Sequence, residues 1–78
     1  MSDIKPGTYR HYKGKLYEVI GVGLHADTHE EYVVYRGLYN SEEFGKNPLW
    51  VRPKKVFLET VTVDGKVVPR FQRIEPRT

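Results

Sequence analysis

The sequence contains no cysteine, one methionine and one tryptophan among its 78 residues. Without thiols it can form neither a disulfide framework nor a thiolate zinc site, and it has no cysteine nucleophile. No segment approaches the roughly 20 apolar residues that span a bilayer. The first residues, Met1–Pro6, lack the apolar stretch of a signal peptide. These absences exclude several protein classes, and we expect a cytoplasmic chain without a membrane partner.

The composition and length of the chain indicate one small folded domain. Hydrophobic residues make up 38% and charged residues 29% of the chain, which is a globular rather than a disordered composition. We expect a loose end over residues 1–5, a single domain over residues 6–74 and a tail over residues 75–78. A chain this short buries only about 60% of its unfolded surface, so its core must depend on a few large side chains. Aromatic residues, at 13%, supply them.

Short runs of β-branched and aromatic residues, separated by turn signals, predict strands along most of the chain. The predicted strands are residues 8–12, 16–24, 31–39, 49–52, 59–63 and 66–74. Gly21 and Gly23 predict a bend or bulge in the second of them. Asp64-Gly65 predicts a two-residue type I′ hairpin in which Val61 faces Val68.

Two further segments complete the predicted fold. Residues 40–48 are polar with Gly and Pro near their end, which predicts a loop. Residues 54–58 predict a single helical turn in which Val56 and Phe57 close one end of the core. We therefore predict an all-β fold, a small SH3-like β-barrel of five to six short antiparallel strands with one helical turn. An OB-like barrel is the second choice.

The sequence shows no catalytic constellation. Ser2 and Ser41 fall in loose segments, and no motif pairs a nucleophile with a base. His25 and His29 lie four residues apart, a spacing that suits a helix but not the loop predicted there. We therefore expect neither an enzyme nor a bound metal or cofactor. Asp27 and Thr28 are expected to cap that turn through their side chains.

A binding surface is better supported. Trp50 and Arg52 project to the same side of their strand, and aromatic faces beside guanidinium groups suit planar anionic ligands. The expected ligand-binding residues, for a small ligand or a protein partner, are Trp50, Arg52, Tyr35, Arg36, His25, Thr28, Glu31 and His11. The alternative interpretation is that Trp50 and Tyr35 belong to the core and that Arg52 is held by Glu31 or Glu18.

Two other functions stay open. Residues 49–78 carry seven basic and three acidic residues, a net charge of +4. Lys54, Lys55, Arg70 and Arg73 on one face would predict nucleic-acid binding with strong salt dependence. An assembly domain is the third possibility, with a chain that is a monomer or a weak homodimer formed through an edge strand.

The order of several short motifs resembles the DUF1653 family, short bacterial domains of unknown function. The motifs are Pro6-Gly7, Tyr9-Arg10-His11-Tyr12-Lys13-Gly14, Tyr17-Glu18-Val19, His25-Ala26-Asp27-Thr28, Val34-Tyr35 and Leu49-Trp50-Val51-Arg52-Pro53, with Phe57 and Glu59. The resemblance runs from about Pro6 to Ile74. It implies an SH3-like barrel with no established activity, cofactor or catalytic residue.

Overall fold

The computed structural model describes residues 4–74, so the expected tail at residues 75–78 and most of the loose N-terminal end lie outside the described residues. Strands dominate, and the prediction of an all-β protein with one helical turn is confirmed. The elements are β1 (Gly7–His11), β2 (Leu16–Leu24), β3 (Glu31–Gly37), β4 (Asn40–Ser41), β5 (Gly45–Lys46), β6 (Leu49–Pro53), α1 (Lys54–Phe57), β7 (Thr60–Val63), β8 (Lys66–Pro69) and β9 (Phe71–Arg73).

Five of the strands form one antiparallel sheet in the order β6-β3-β2-β1-β9. The strands β4 and β5 form a separate small hairpin, as do β7 and β8. In the second hairpin Val61 pairs with Val68 and Thr62 with Val67, as the Asp64-Gly65 signal predicts. Both turn residues have positive φ, 51° for Asp64 and 78° for Gly65, which the type I′ turn requires.

The sheet is strongly curled. In a flat sheet its two edge strands, β6 and β9, would lie about 19 Å apart, four spacings of about 4.8 Å. Instead the guanidinium carbon of Arg52 on β6 lies 5.6 Å from the ring centre of Phe71 on β9. Across residues 4–74, however, no hydrogen-bonded pairing joins these strands. Closure into an SH3-like barrel therefore stays a prediction, and the fold described is a curled sheet with a concave face.

A β-bulge in β2 determines which side chains reach that concave face. Val19 pairs with Tyr35, but the next paired residue is Gly21, opposite Val34, so Ile20 is the extra residue. Because of this extra residue, Val19 and Val22 face the same side of the sheet although they are three positions apart. Val19 is buried in the core and Val22 packs against it. The predicted bend near Gly21 is confirmed. Outside the core, the β2 residues Leu16, Ile20 and Leu24 are 37%, 46% and 67% exposed.

The core fills the concave face near α1. Its buried members are Ile4, Tyr9, Val19, Val33, Tyr35, Phe57 and Phe71. Phe57, the last residue of α1, is 2% exposed and stacks on Phe71 with ring centres 4.2 Å apart. Pro53 precedes the helix with φ of −53°, so the proline that ends β6 also directs the chain across the sheet. Phe57 closes the core as predicted, whereas Val56 is only half-buried.

Two boundaries differ from the predictions. The segment 40–48 contains the β4–β5 hairpin, whose turn is capped by Ser41 Oγ accepting from the amide of Phe44 at 3.0 Å. The predicted strand 66–74 is broken at Arg70 into β8 and β9. Pro69 ends β8, and the amide of Arg70 donates to Glu59 O at 3.0 Å. Pro69, which has no N–H to donate, thus stands at the corner between two sheets.

Candidate ligand-binding site

Aromatic side chains from neighbouring strands gather at one end of the concave face. Antiparallel pairing places the start of β2, the ends of β1 and β3 and the starts of β6 and β9 at the same end of the sheet. The inward-facing residues there, together with Tyr39, are His11, Tyr17, Tyr35, Trp50, Arg52 and Phe71. We call this set the aromatic end, and the set Ile4, Tyr9, Val19, Val33 and Phe57 the packed end.

Tyr17 lies at the centre of the aromatic end. Its ring centre lies 5.3 Å from that of Tyr35, 5.5 Å from Tyr39 and 5.6 Å from Phe71. All three pairs are edge-to-face, with interplanar angles of 71° to 89°, the geometry favoured by aromatic quadrupoles. The rings therefore support one another and form a rigid floor.

Arg52 reaches over this floor. Its Nε donates to the hydroxyl of Tyr35 at 3.1 Å, and its guanidinium lies over the ring of Phe71. Within residues 4–74 no carboxylate comes within 4.0 Å of Arg52. The expectation that Glu31 or Glu18 holds it is wrong. Glu31 pairs with Lys54 at 3.4 Å, and Glu18 alternates with the core residue Val19, so it projects from the opposite face.

The two terminal nitrogens of Arg52 remain available. Neither hydrogen-bonds to another atom of residues 4–74, and neither is buried. The guanidinium is thus held by its Nε while its outer N–H groups stay accessible to solvent. A cation in this state can bind an anion without first breaking an ion pair.

A second group of polar contacts lies beside the hydrogen bond between Arg52 and Tyr35. The indole Nε1 of Trp50 donates to the hydroxyl of Tyr39 at 3.1 Å, and that hydroxyl lies 3.4 Å from the hydroxyl of Tyr17. The ammonium of Lys15 lies 4.5 Å from the ring centre of Tyr39. Tyr39 follows β3 in sequence, yet its ring lies against the end of that strand and contributes to the wall of the site.

Gly37 makes the position of Tyr39 possible. A Cβ atom added at Gly37 would come within 2.6 Å of the Tyr39 ring, far closer than any real contact. The turn is fixed on its other side by Asn47, whose Nδ2 donates to Gly37 O at 3.0 Å and whose amide donates to Tyr39 O at 3.0 Å.

Burial affects the ionisation of two tyrosines at the site, Tyr17 and Tyr35. Burial, followed by the hydrogen bond to Tyr39, raises the pKa of Tyr17 well above its usual value of 10. Burial also raises the pKa of Tyr35, although the charge and hydrogen bond of Arg52 oppose this effect. Both phenols therefore stay protonated at neutral pH and can donate or accept a hydrogen bond.

His11 is neutral for related reasons. Its pKa is lowered from 6.5 by burial first and then by the charges of Arg52, Arg70 and Lys13. Its Nδ1 accepts a hydrogen bond from the amide of Lys13 at 3.2 Å, so the ring hydrogen is on Nε2. No carboxylate contributes to the shift of either His11 or Tyr35. The charges that act on His11 are thus three cations.

The structure brings together four of the sequence-predicted residues and separates four others. Trp50, Arg52, Tyr35 and His11 belong to the aromatic end. Arg36 is exposed, since it alternates with the inward-facing Tyr35. His25, Thr28 and Glu31 lie at the far end of the β2–β3 pair, about 20 Å along the strands from the Tyr17–Gly37 pair.

At that far end the side chains organise a turn. His25 Nδ1 accepts from the amides of Asp27 and Thr28 at 3.2 and 3.3 Å, and Thr28 Oγ1 accepts from the amide of Glu30 at 3.2 Å. Thr28 caps the turn as expected, but the second capping side chain is His25, because Asp27 takes part through its backbone. No group of three His, Asp or Glu side chains in residues 4–74 is arranged to hold a metal ion.

The basic residues of the nucleic-acid alternative mostly have partners. Lys54 pairs with Glu31 at 3.4 Å, Lys55 with Glu30 at 3.7 Å and Arg70 with Glu59 at 3.3 Å. Arg73 donates to the carbonyl of Pro6 at 3.4 Å. The positive charge of this region is thus largely balanced by neighbouring carboxylates.

The predicted set of ligand-binding residues omits Tyr17, Tyr39 and Phe71. The alternation of β1 and β2 could have identified Tyr17, because it faces Tyr9 across the hairpin and shares its side of the sheet. Tyr39 left no comparable signal, because its position depends on how the chain turns at Gly37.

Comparison with known proteins gives a consistent result. Residues 7–73 match the model of a family described as "Protein of unknown function (DUF1653)". A crystal structure of a DUF1653 protein from Bordetella bronchiseptica has 35% sequence identity and a TM-score of 0.80, with 96% of each chain covered. Comparison with curated proteins finds no match. Among the described residues no helix is long and apolar enough to cross a membrane.

Proposed function

The chain belongs to the DUF1653 family, and we propose that it is a binding module that holds a small anionic ligand at the aromatic end. The observation that carries this proposal is the state of Arg52. Its guanidinium is oriented by Tyr35 and lies over Phe71, but no carboxylate of residues 4–74 neutralises it.

Orientation of the cation favours binding. An arginine side chain loses about 2 kcal/mol of rotamer entropy when it is fixed, and the bond to Tyr35 with the contact to Phe71 meets part of this cost before a ligand arrives. The free Nη groups then present the planar fork that matches a carboxylate or phosphate edge. Half-burial of Arg52 strengthens such a pair relative to one in bulk water.

The surrounding groups favour a ligand with a planar body. Trp50 and Tyr39 are half-buried, and Phe44 is 56% exposed with its ring centre 5.0 Å from that of Trp50. These rings offer apolar surface beside the cation. The hydroxyl groups of Tyr17 and Tyr39 add hydrogen-bonding groups beside these rings. The ligand's anionic group would meet Arg52 while its ring would lie along the aromatic wall.

We propose binding rather than catalysis because the candidate bases and nucleophiles are held in unreactive forms. Raised pKa values keep the Tyr17 and Tyr35 phenols protonated. The unprotonated nitrogen of His11 already accepts the amide hydrogen of Lys13. Extended nucleic acid is a weaker candidate, because Lys54, Lys55 and Arg70 are paired with carboxylates and a phosphate backbone needs several free cations.

The test is an NMR titration of ¹⁵N-labelled protein with benzoate, with its uncharged isostere benzamide and with inorganic phosphate. We expect benzoate to shift the Arg52 Nε–H and Trp50 Nε1–H resonances, and benzamide to shift them far less. Arg52→Gln should weaken benzoate binding about 10- to 100-fold, since charged hydrogen bonds contribute about 1.5–3 kcal/mol. Arg36→Gln is the matched control and should leave binding unchanged.

Three outcomes would overturn the proposal. They are no shift with either anion at millimolar concentration, equal shifts with benzoate and benzamide, and equal losses in the Arg52→Gln and Arg36→Gln variants. Resonance shifts with phosphate but not with benzoate would support an anion-binding site at Arg52 and would contradict the proposal that the ligand has a planar ring.

A further inference from the structure

The strand β6 forms one edge of the five-stranded sheet and pairs only with β3. The amide of Gly37 donates to Pro48 O at 2.8 Å immediately before β6 begins. In an antiparallel pair hydrogen-bonded and non-hydrogen-bonded residues alternate. Trp50 and Arg52 therefore direct their backbone groups toward β3, whereas Leu49, Val51 and Pro53 direct theirs away from it.

The outward-directed backbone groups of β6 have no backbone partner in residues 4–74. They comprise the N–H and C=O of Leu49 and of Val51, since the C=O of Pro53 serves as the N-cap carbonyl of α1. The side chains of Leu49 and Val51 are 57% and 64% exposed, and Val51 lines an apolar recess of about 270 Å³ on the outer face. The outward side chains Leu49 and Val51 carry no charge and the strand has no bulge, so its protective features are the inward-facing Arg52 and the terminal Pro53.

We propose that two copies of the chain pair antiparallel through β6, about a two-fold axis at Val51, to give one continuous sheet. Val51 would exchange both backbone hydrogen bonds with the partner's Val51. Leu49 would add the contact of its exposed side chain on either side of the axis.

The same register favours a second copy of the chain, rather than another protein, as the partner of β6. On the concave face it sets Trp50 opposite the partner's Arg52 as a non-hydrogen-bonded pair, with Cα atoms about 4.5 Å apart. An accessible guanidinium that lacks a carboxylate in residues 4–74 would thus meet an indole, the aromatic ring that binds cations best. One strand supplies both the cation and the ring, which is the self-complementarity that a two-fold interface requires. Each copy would contribute Trp50 to the other's aromatic end.

The pairing is expected to be weak. A five-residue strand with two exposed apolar side chains falls below the area of a typical stable interface, about 800 Å² per partner. We therefore expect a dissociation constant on the order of 10–1,000 μM. Monomer and dimer would then exchange within the range of protein concentrations used in solution experiments.

Sedimentation velocity over about 10 μM to 1 mM protein tests the proposal. The wild type should rise from the mass of one chain toward twice that mass. Val51→Pro removes the edge N–H without removing a bond to β3, and Val51→Lys places a charge at the axis; both should stay monomeric. The control is Val67→Lys on the separate β7–β8 hairpin, where Val67 is 69% exposed, and it should associate like the wild type.

A wild type that is monomeric throughout would overturn the proposal, and so would dimers that persist in both Val51 variants or disappear in the Val67 control. Amide spectra of each variant verify folding, and if Val51→Pro unfolds, Val51→Lys decides. The mass measurement uses no ligand, so its outcome is independent of the benzoate titration.

Discussion

The two ends of the concave face are built from the same kinds of ring and differ in their polar atoms. At the packed end Phe57, Val33 and Val19 are 2%, 0% and 1% exposed. At the aromatic end Tyr17, Tyr39 and Trp50 stay half-buried, and their hydroxyl and indole groups bond to one another. At the packed end the only side-chain polar atom is the Tyr9 hydroxyl, whereas at the aromatic end Tyr35 and Phe71 are buried but the rings that carry the remaining hydroxyl and indole groups are not.

Phe71 joins the two ends. One face of its ring stacks on Phe57, and the guanidinium of Arg52 lies over the same ring at 5.6 Å. The core of this small domain therefore also supports its candidate site. The comparison predicts that changes at the packed end alter stability alone, whereas changes at the aromatic end also alter binding.

Phe57→Ala should give the largest effect. Removing a buried Phe leaves a cavity and costs about 3–5 kcal/mol, against a total stability of about 4–12 kcal/mol for a domain of this size. Chemical denaturation followed by tyrosine and tryptophan fluorescence measures the change. Leu58→Ala is the control, because Leu58 is 50% exposed and its loss should cost under about 1 kcal/mol. Equal losses would contradict the assignment of the packed end.

Removing one tyrosine hydroxyl from the packed end and one from the aromatic end compares the two ends directly. Tyr9 donates to Lys5 O at 2.8 Å at the packed end, and Tyr35 accepts from Arg52 at the aromatic end. Tyr9→Phe and Tyr35→Phe should each cost about 0.5–1.5 kcal/mol of stability. Only Tyr35→Phe should also weaken benzoate binding, because it frees the guanidinium to rotate. Calorimetric titration of both variants measures this, and a matching loss in Tyr9→Phe would remove the distinction.

High pH should act through the aromatic end. Folding raises the pKa of Tyr17 and Tyr35, so above about pH 10 the unfolded chain loses protons that the folded chain retains. The free energy of unfolding should therefore fall as pH rises beyond that value. Ultraviolet titration at the phenolate band should show fewer ionised tyrosines in the folded protein than in denaturant at the same pH. Coincident curves would contradict the prediction.

Low pH should give the smallest effect, through His11. Its pKa is lowered in the folded state, so as pH falls below 6.5 the unfolded chain binds the proton first and stability declines until the folded form also titrates. Histidine ring NMR shifts should report a value below 6.5, and Arg52→Gln should move it upward by removing one of the neighbouring charges. A bound anion should do the same. An unchanged value in that variant would place Arg52 too far away to act.

The predictable part of the fold depended on local chemistry. The turn type favoured by Asp64-Gly65 determined the hairpin register. The glycines of β2 predicted its bulge. The side of β6 shared by Trp50 and Arg52 followed from strand alternation alone. Each of these features is decided within a few neighbouring residues.

The partners of Arg52 could not be predicted in the same way. Alternation shows the side to which Arg52 points, but the curl of the sheet decides that it meets Tyr35 and Phe71 rather than a carboxylate. The separation of His25 from Arg52 likewise depends on how far apart their strand ends lie. Both depend on the tertiary arrangement, which the local sequence does not encode.

Gly37 has a consequence for how this protein will respond to mutation. It contributes no functional atom, yet even one methyl group at this position would collide with the ring of Tyr39. A saturation mutagenesis screen for ligand capture should therefore rank Gly37 among the intolerant positions, beside Arg52 itself. Replacement of Tyr39 by a smaller residue in the same chain should restore tolerance at Gly37, a suppressor relationship that would show the glycine serves only to make room.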